Sequence, residues 1–366
     1  MNESCIKWLT VHSGPESWVR GGCQKLWAHT AAFFLLTCLL IATGCTHTSN
    51  SIPSSNPNDN SNDSDQEEPL PGEDESDIYL FDVDTNHGDT ADGNDNEAAC
   101  PRFKTGIILG TAKCKDLIEA SGLAASRRSP HILWSHNDSG GTPSVFALKT
   151  DGTHLGVFTL QGVDAYDEED MAADDEFLYL GDIGDNGLIR ETIVIYRFPE
   201  PLISLDQTPV DVVIEEYDTL TLAYPDGPKD AETLLVDPTD SSIYIVTKSE
   251  QQSRVYRVPT PIAWNGETSE LELVVEKLPL LRLTTAGDIS PDGDMIIIRD
   301  YTRAVLWQRL GGDTIAKTLT HASCNVPVNG WGQEEAICFH RDGTGYFTIP
   351  EKTILSKSTI RFYEKK

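Results

Sequence analysis

Acidic residues recur along this chain at Glu119, Glu169, Glu232, Asp288 and Glu335, at intervals of 50, 63, 56 and 47 residues. Each stands beside a short apolar stretch. A second set of polar residues closes the apolar stretches that follow: His136, Asn137 and Asp138; Asp182, Asp185 and Asn186; Lys248; Arg299 and Asp300; Glu351. If these positions converge, several carboxylates share one space. Like charges so placed repel, and they cannot all ionise without a counter-charge. A hard cation with oxygen ligands supplies one, and calcium is the natural choice. Glu169, Glu232, Asp288 and Glu335 are then the expected calcium ligands. Asn137, Asp138, Asp182, Asp185, Asn186, Lys248 and Arg299 are expected to face a bound ligand, and Lys248 and Arg299 could neutralise part of the acid themselves. The plainer alternative is that each acid only accepts backbone hydrogen bonds within its own repeat. His136 is the expected general base, because it ends an apolar stretch near the same place. The chain has no Gly-x-Ser-x-Gly nucleophile turn, no phosphate-binding glycine loop and no dinucleotide fingerprint.

Convergence requires elements that repeat. In each unit the acid leads to an apolar segment, then a turn with Asp or Gly, then a β-branched segment, then one reading like Val-Tyr-Arg-Val. Clear copies run through Glu168–Asp174, Phe177–Ile183 and Ile193–Phe198, and through Ala231–Asp237, Ile243–Lys248 and Val255–Val258. Others run from Ala286 to Gln308 and from Glu334 to Tyr363, with a more diverged unit from Glu119 to Leu148. Short β-rich segments at this period, with no helical periodicity, predict an all-β fold, a β-propeller. Five blades fit the spacing; a sixth could hide in the long unit before Glu232. Leu273–Glu276 reads as an outer fourth strand, and Gly106–Leu109 as the strand that closes the ring. A β-sandwich is the alternative architecture, and it gives no reason for the repeated acid.

Four motifs, His136 to Gly141, Asp167 to Asp170, Gly181 to Asn186 and Tyr224 to Glu232, carry a resemblance. They are similar to those of uncharacterised bacterial propeller lipoproteins, distantly similar in turn to esterase-like phytase and strictosidine-synthase-like or lactonase propellers. The resemblance covers about Ser121 to Tyr363. It implies the propeller fold and calcium, and no particular reaction. Glu168 stands where that family usually has Trp, so the pocket is expected to differ in detail.

Residues 1–44 read as a lipoprotein signal peptide. Arg20 and Lys25 precede the apolar run Ala31 to Ala42, and Thr43-Gly44 precede Cys45. The run is short for a membrane span. Cleavage before Cys45 and acylation of that cysteine would anchor the protein in a lipid bilayer, at the outer membrane or cell surface. Residues 45–99 read as a disordered tether: from Thr46 to Ala99 there are fifteen Asp or Glu and no Lys or Arg, and little to bury. Residues 100–366 are the expected propeller. Export leaves Cys100, Cys114, Cys324 and Cys338 in an oxidising compartment. The local spacings favour Cys100–Cys114 and Cys324–Cys338 as disulfides, with Cys338 as a buried thiol the alternative. Zinc is disfavoured, since no close Cys/His pairs occur.

The net charge of −30 repels phosphates and argues against nucleic-acid partners. The leading reading is a monomeric, surface-displayed propeller that binds a small-molecule or protein ligand at an acidic, calcium-containing channel. The alternative is a calcium-dependent hydrolase of an ester, lactone or phosphoester, with the metal activating water. A scaffold that uses the outer rim is a third reading.

Overall fold

The structure, a computed structural model, describes residues 100–138, 142–330, 333–352 and 357–366. The expected signal segment, Cys45 and the tether lie outside the described residues, as do Ser139, Gly140 and Gly141.

The described chain is a five-bladed β-propeller. Strand β1 (Ile107–Thr111) comes first. The first blade holds β2 (Ala120–Ala125), β3 (Ile132–Asn137), β4 (Ser144–Lys149) and β5 (His154–Leu160). The second holds β6 (Glu168–Ala173), β7 (Phe177–Asp182), β8 (Ile193–Pro199) and, after β9 (Val210–Ile214), β10 (Asp218–Ala223). The third holds β11 (Ala231–Val236), β12 (Ile243–Thr247), β13 (Val255–Arg257) and, after β14 (Thr268–Glu270), β15 (Glu272–Val275). The fourth holds β16 (Thr284–Ile289), β17 (Met295–Asp300), β18 (Ala304–Gln308) and, after helix α1 (Ile315–Thr318), β19 (Cys324–Val326). The fifth holds β20 (Glu334–Phe339), β21 (Gly345–Pro350) and β22 (Thr359–Glu364).

β1 completes the fifth blade: it runs antiparallel to β22, with Ile107 opposite Phe362. This is the ring closure expected from Gly106–Leu109. The long unit before Glu232 hides no blade. Its extra strand, β9, leaves blade two and pairs in parallel with β5 on the outer edge of blade one. β14 does the same for β10 of blade two.

The core consists of apolar layers between neighbouring blades. Trp134 and Phe158 of blade one meet Met171 and Phe198 of blade two, and Leu220 meets Leu234 and Tyr256 at the next seam. Tyr244 and Trp307 share the third seam, Leu306 and Phe339 the fourth, and Cys338 and Phe146 the fifth. Successive residues of a strand point to opposite faces. Each blade is covered on both faces, which is why β17 reads as the unbroken run Met-Ile-Ile-Ile.

The disulfide joins Cys100 to Cys324, with Cα atoms 5.7 Å apart, and this corrects the local pairings expected from spacing. The chain before β1 runs beside the end of β22, where Lys104 N–H donates to Glu364 O and Lys366 N–H donates to Arg102 O. That path brings Cys100 to the outer strand of blade four. Cys114 and Cys338 are free thiols, buried together in the layer between blades five and one. Burial pushes both thiols up, away from the reactive thiolate.

Candidate functional site

Every innermost strand carries a register shift at its first turn, between Glu168 and Asp170, Ala231 and Thr233, Thr284 and Ala286, Glu334 and Ala336, and Ala120 and Leu123. A bulge leaves one residue unpaired and re-aims its side chain. The bulged residues are Ser121, Glu169, Glu232, Thr285 and Glu335, so an equivalent position recurs in every blade at one mouth of the channel. Glu169, Glu232 and Glu335 belong to this ring. Asp288 does not: it stands three residues beyond Thr285, deeper along β16, where its carboxylate accepts Ile289 N–H at 2.8 Å and Phe339 N–H at 2.7 Å. Glu119 is exposed, and Ser121 takes its place. The hydroxyls bind the ring together, Ser121 Oγ donating to Glu169 O at 2.7 Å and Thr285 Oγ1 to Glu335 O at 3.0 Å.

At the seam of blades one and two, oxygens of Asp138, Asp167 and Glu169 lie within 4.8 Å of one another. The bend just after β3 delivers Asp138, the loop before β6 delivers Asp167, and the bulge delivers Glu169. Asp182 holds the loop in place: its Oδ1 accepts Asp167 N–H at 3.0 Å, and Arg190 pairs with it at 2.8 Å. Gly184 N–H donates to Asp167 O at 3.1 Å. A Cβ on Gly184 would fall within 3.0 Å of oxygens of both Glu169 and Asp167. Only a glycine lets the two carboxylates close over that loop. The donor set is hard oxygen throughout and fits calcium or a similar divalent ion, which would complete its shell with carbonyls or water.

The electrostatics are those of crowded, dry acids. Burial pushes Asp167 up to about 7, helped by Asp138 and Asp230. Burial and then Asp182 push Glu168 up to about 8. Glu169 rises through burial first, then Glu232, Asp138 and Asp167. Elsewhere on the ring the acid is answered from within. Glu232 is raised by burial and held back by its ion pair with Lys248, whose ammonium also lies 5.4 Å from the Tyr301 ring centre. Glu335 is pushed up to about 9 by burial and by Glu351 beside it. Deeper still, fully buried Asp170 accepts Met171, Leu234 and Gly287 N–H, tying blades two, three and four across the axis.

Other expected site residues do different work. His136, on β3, is buried with its ring against Gly122 of β2. Its Nδ1–H donates to Asn137 O at 2.7 Å, its Nε2 has no partner among the described residues, and burial pulls it down to about 4. A Cβ on Gly122 would fall within 3.0 Å of that Nε2. Asn137 staples the segment before β2, its Oδ1 accepting Ile118 and Glu119 N–H. Asp185 accepts Ile189 and Arg190 N–H and so shapes the loop after β7, while Asn186 is exposed. Arg299 is wholly buried, 3.6 Å from Glu334, and donates to Ala336 O; it sits between blades four and five. Sequence reasoning did not single out Asp167, Gly184 and Tyr301. The run Asp167–Asp170 and the glycines of Gly181–Asn186 were the available signals.

No protein-family model matches the chain, and no curated protein matches it. Many solved structures are similar in shape. One is the nidogen/laminin complex, 12% identical, with TM-score 0.37 over 64% of this chain and 73% of that one. Another is the PQQ-bound aldose sugar dehydrogenase of Streptomyces coelicolor, 11% identical, with TM-score 0.40 over 73% of this chain and 100% of that one. Likenesses this remote speak to neither ligand nor reaction.

Proposed function

We propose that this protein is a lipid-anchored, extracytoplasmic propeller that binds calcium through Asp138, Asp167 and Glu169. The ion would be presented at the channel mouth to an oxygen-bearing ligand. The observation that carries this reading is the approach of three carboxylates to within 4.8 Å, over a glycine that leaves them room. Close anionic oxygens that burial has already made costly to ionise gain most from a cation.

Calorimetric titration of the chelator-stripped full chain with calcium tests it. Binding should raise Tm, since a ligand at a hundred times its Kd stabilises the folded state by about 2.7 kcal/mol. Glu169→Gln should abolish both signals. Calcium without heat or Tm change in the wild-type protein would end the proposal.

The extracytoplasmic setting is supported by the Cys100–Cys324 bond. No helix among the described residues is long and apolar enough to cross a membrane, so attachment would rest on acylated Cys45. The chain enters the domain beside Glu364, at the end of β22 opposite the mouth. Cys45→Ser should release the protein from the membrane fraction; full retention would refute the anchor.

One observation favours the hydrolase reading as a second choice. Glu335 stands beside Glu351 within the same mouth, where burial and that carboxyl push it up and favour its protonated form, and a metal-bound water needs a proton partner. A panel of lactones, aryl esters and phosphoesters, with and without calcium, decides it. No turnover of any class leaves binding alone.

A further inference from the structure

Beyond the metal site lies a cavity of about 420 Å³ on the outer strands of blade one. Its floor follows from strand register. Ser144, Thr159 and Val213 form one cross-strand row, and Phe146, Val157 and Asp211 form the next. Phe146, 3% exposed, closes the bottom from within the core; half-buried Val157 and the outer lip of Val212 and Val213, 39% and 58% exposed, give the apolar surface. Acids stand at both ends. Asp138 and Glu168 line the inner end; Asp116 joins them, its carbonyl held by Asn137 Nδ2 at 2.8 Å. Asp211 stands at the outer end, on edge strand β9. Among the described residues that line the cavity, none is Lys, Arg or His.

This lining selects against anions and against a bare metal ion. An anion would meet four acids and no base. A metal ion would gain nothing from Val157 and the valine lip, because apolar surface contributes only when carbon covers it. An organic cation uses both features: its nitrogens meet the acids and its methylenes cover the floor. The two acidic ends are separated by roughly 14 Å across the strands from β3 to β9 at ~4.8 Å per strand, and by about 10 Å along them, since Asp138 stands three residues beyond Ser135 of Asp211's row. A single ammonium on a short stem reaches one end only.

We propose that this cavity is a binding site for a linear aliphatic polyamine, one ammonium at Asp138, Glu168 and Asp116, another at Asp211, and the carbon chain on Val157 and the valine lip. The site shares only Asp138 with the proposed calcium site, so the two can fail separately.

The test is calorimetric titration of the purified, chelator-stripped full chain at low ionic strength, with spermidine and butylamine as probes. Spermidine should bind, and butylamine should bind much more weakly. Asp211→Asn should weaken spermidine about threefold and leave butylamine unchanged, as expected for the loss of one exposed charge contact of two. Asp211 is exposed on an edge strand, so folding is not at stake; Asp116→Asn serves as the second variant. Glu169→Gln, which should abolish calcium binding, should leave spermidine within about twofold. Calcium should compete with spermidine in the wild-type protein through Asp138. The proposal is overturned if spermidine gives no binding heat, if it binds no better than butylamine, or if neither Asp211→Asn nor Asp116→Asn weakens it.

Discussion

Two arcs of the channel mouth place the same residue type at an equivalent bulge and treat its charge in opposite ways. On the arc of blades three and five, Glu232 has the Lys248 ammonium and Glu335 has a neighbouring carboxyl with which to hold a proton. On the arc of blades one and two, Glu169 meets Asp138 and Asp167, and Lys248 acts on it only after those like charges. The first arc is electrically complete as folded. The second gathers three acids around one point, where Arg190, itself engaged with Asp182, offsets Asp167 and Lys248 offsets Glu169 less than burial and the neighbouring acids raise them. A repeated acid is therefore not a repeated function. What separates the carboxylates of the two arcs is how directly the fold sets a counter-charge or a shared proton beside each.

The largest expected effect comes from making the complete arc incomplete. Lys248→Met leaves Glu232 buried without its cation, and breaking such a pair costs about 3–5 kcal/mol. The cost should be greatest near pH 9 and smaller near pH 5, where a proton replaces the lost ammonium. Glu169→Gln should do the reverse, raising the Tm of the metal-free protein by removing one of three crowded charges. Urea unfolding of both variants at the two pH values checks the contrast. Equal losses in both would show that the arcs do not differ.

A second effect concerns the whole mouth and its channel. Asp288 is pushed up to about 6 by burial, Asp167 to about 7, Glu168 to about 8 and Glu335 to about 9. In the unfolded chain these groups release their protons near pH 4. Between about pH 4 and pH 9 the folded state thus binds more protons than the unfolded one, and stability falls as pH rises. The Tm of the metal-free protein should drop steadily from pH 5 to pH 9. Calcium should restore much of it at the alkaline end, where the acids of the open arc are ionised. A Tm that is flat or rises across this range would contradict the burial of these acids.

The ring was legible in the sequence because a blade is a local unit, and period and strand chemistry repeat with it. The closing strand at Gly106–Leu109 could be read for the same reason: the last unit ends one strand short. What could not be read depends on register. Asp288 looks like a counterpart of Glu232, yet a bulge sets the phase of each innermost strand, and its partner residues lie in the next strand over. The ring position in blade four is Thr285, three residues earlier. The disulfide was misjudged for a related reason. Local spacing favoured near neighbours, whereas ring closure carries Cys100 to a strand 224 residues away. Arg299 ends a second strand as expected, but its side chain turns into the seam, toward Glu334.

The smallest effect offers the sharpest discrimination between the arcs. Gly184 serves only the open one, where its missing side chain makes room for Glu169 and Asp167. Gly184→Ala places a methyl group within 3.0 Å of both carboxylates, so they must part. Spreading them relieves like-charge repulsion in the metal-free protein, so its Tm should change little. It also pulls two ligands off a shared centre, and calcium affinity should fall about tenfold, or about 1.4 kcal/mol. The Lys248–Glu232 pair should be untouched, so the pH dependence of unfolding contributed by that arc should stay as in the wild-type protein. Calcium titration of Gly184→Ala beside wild type reads the difference directly. If affinity holds while Tm falls, the glycine serves backbone packing alone, and the three carboxylates are not a cation's ligands.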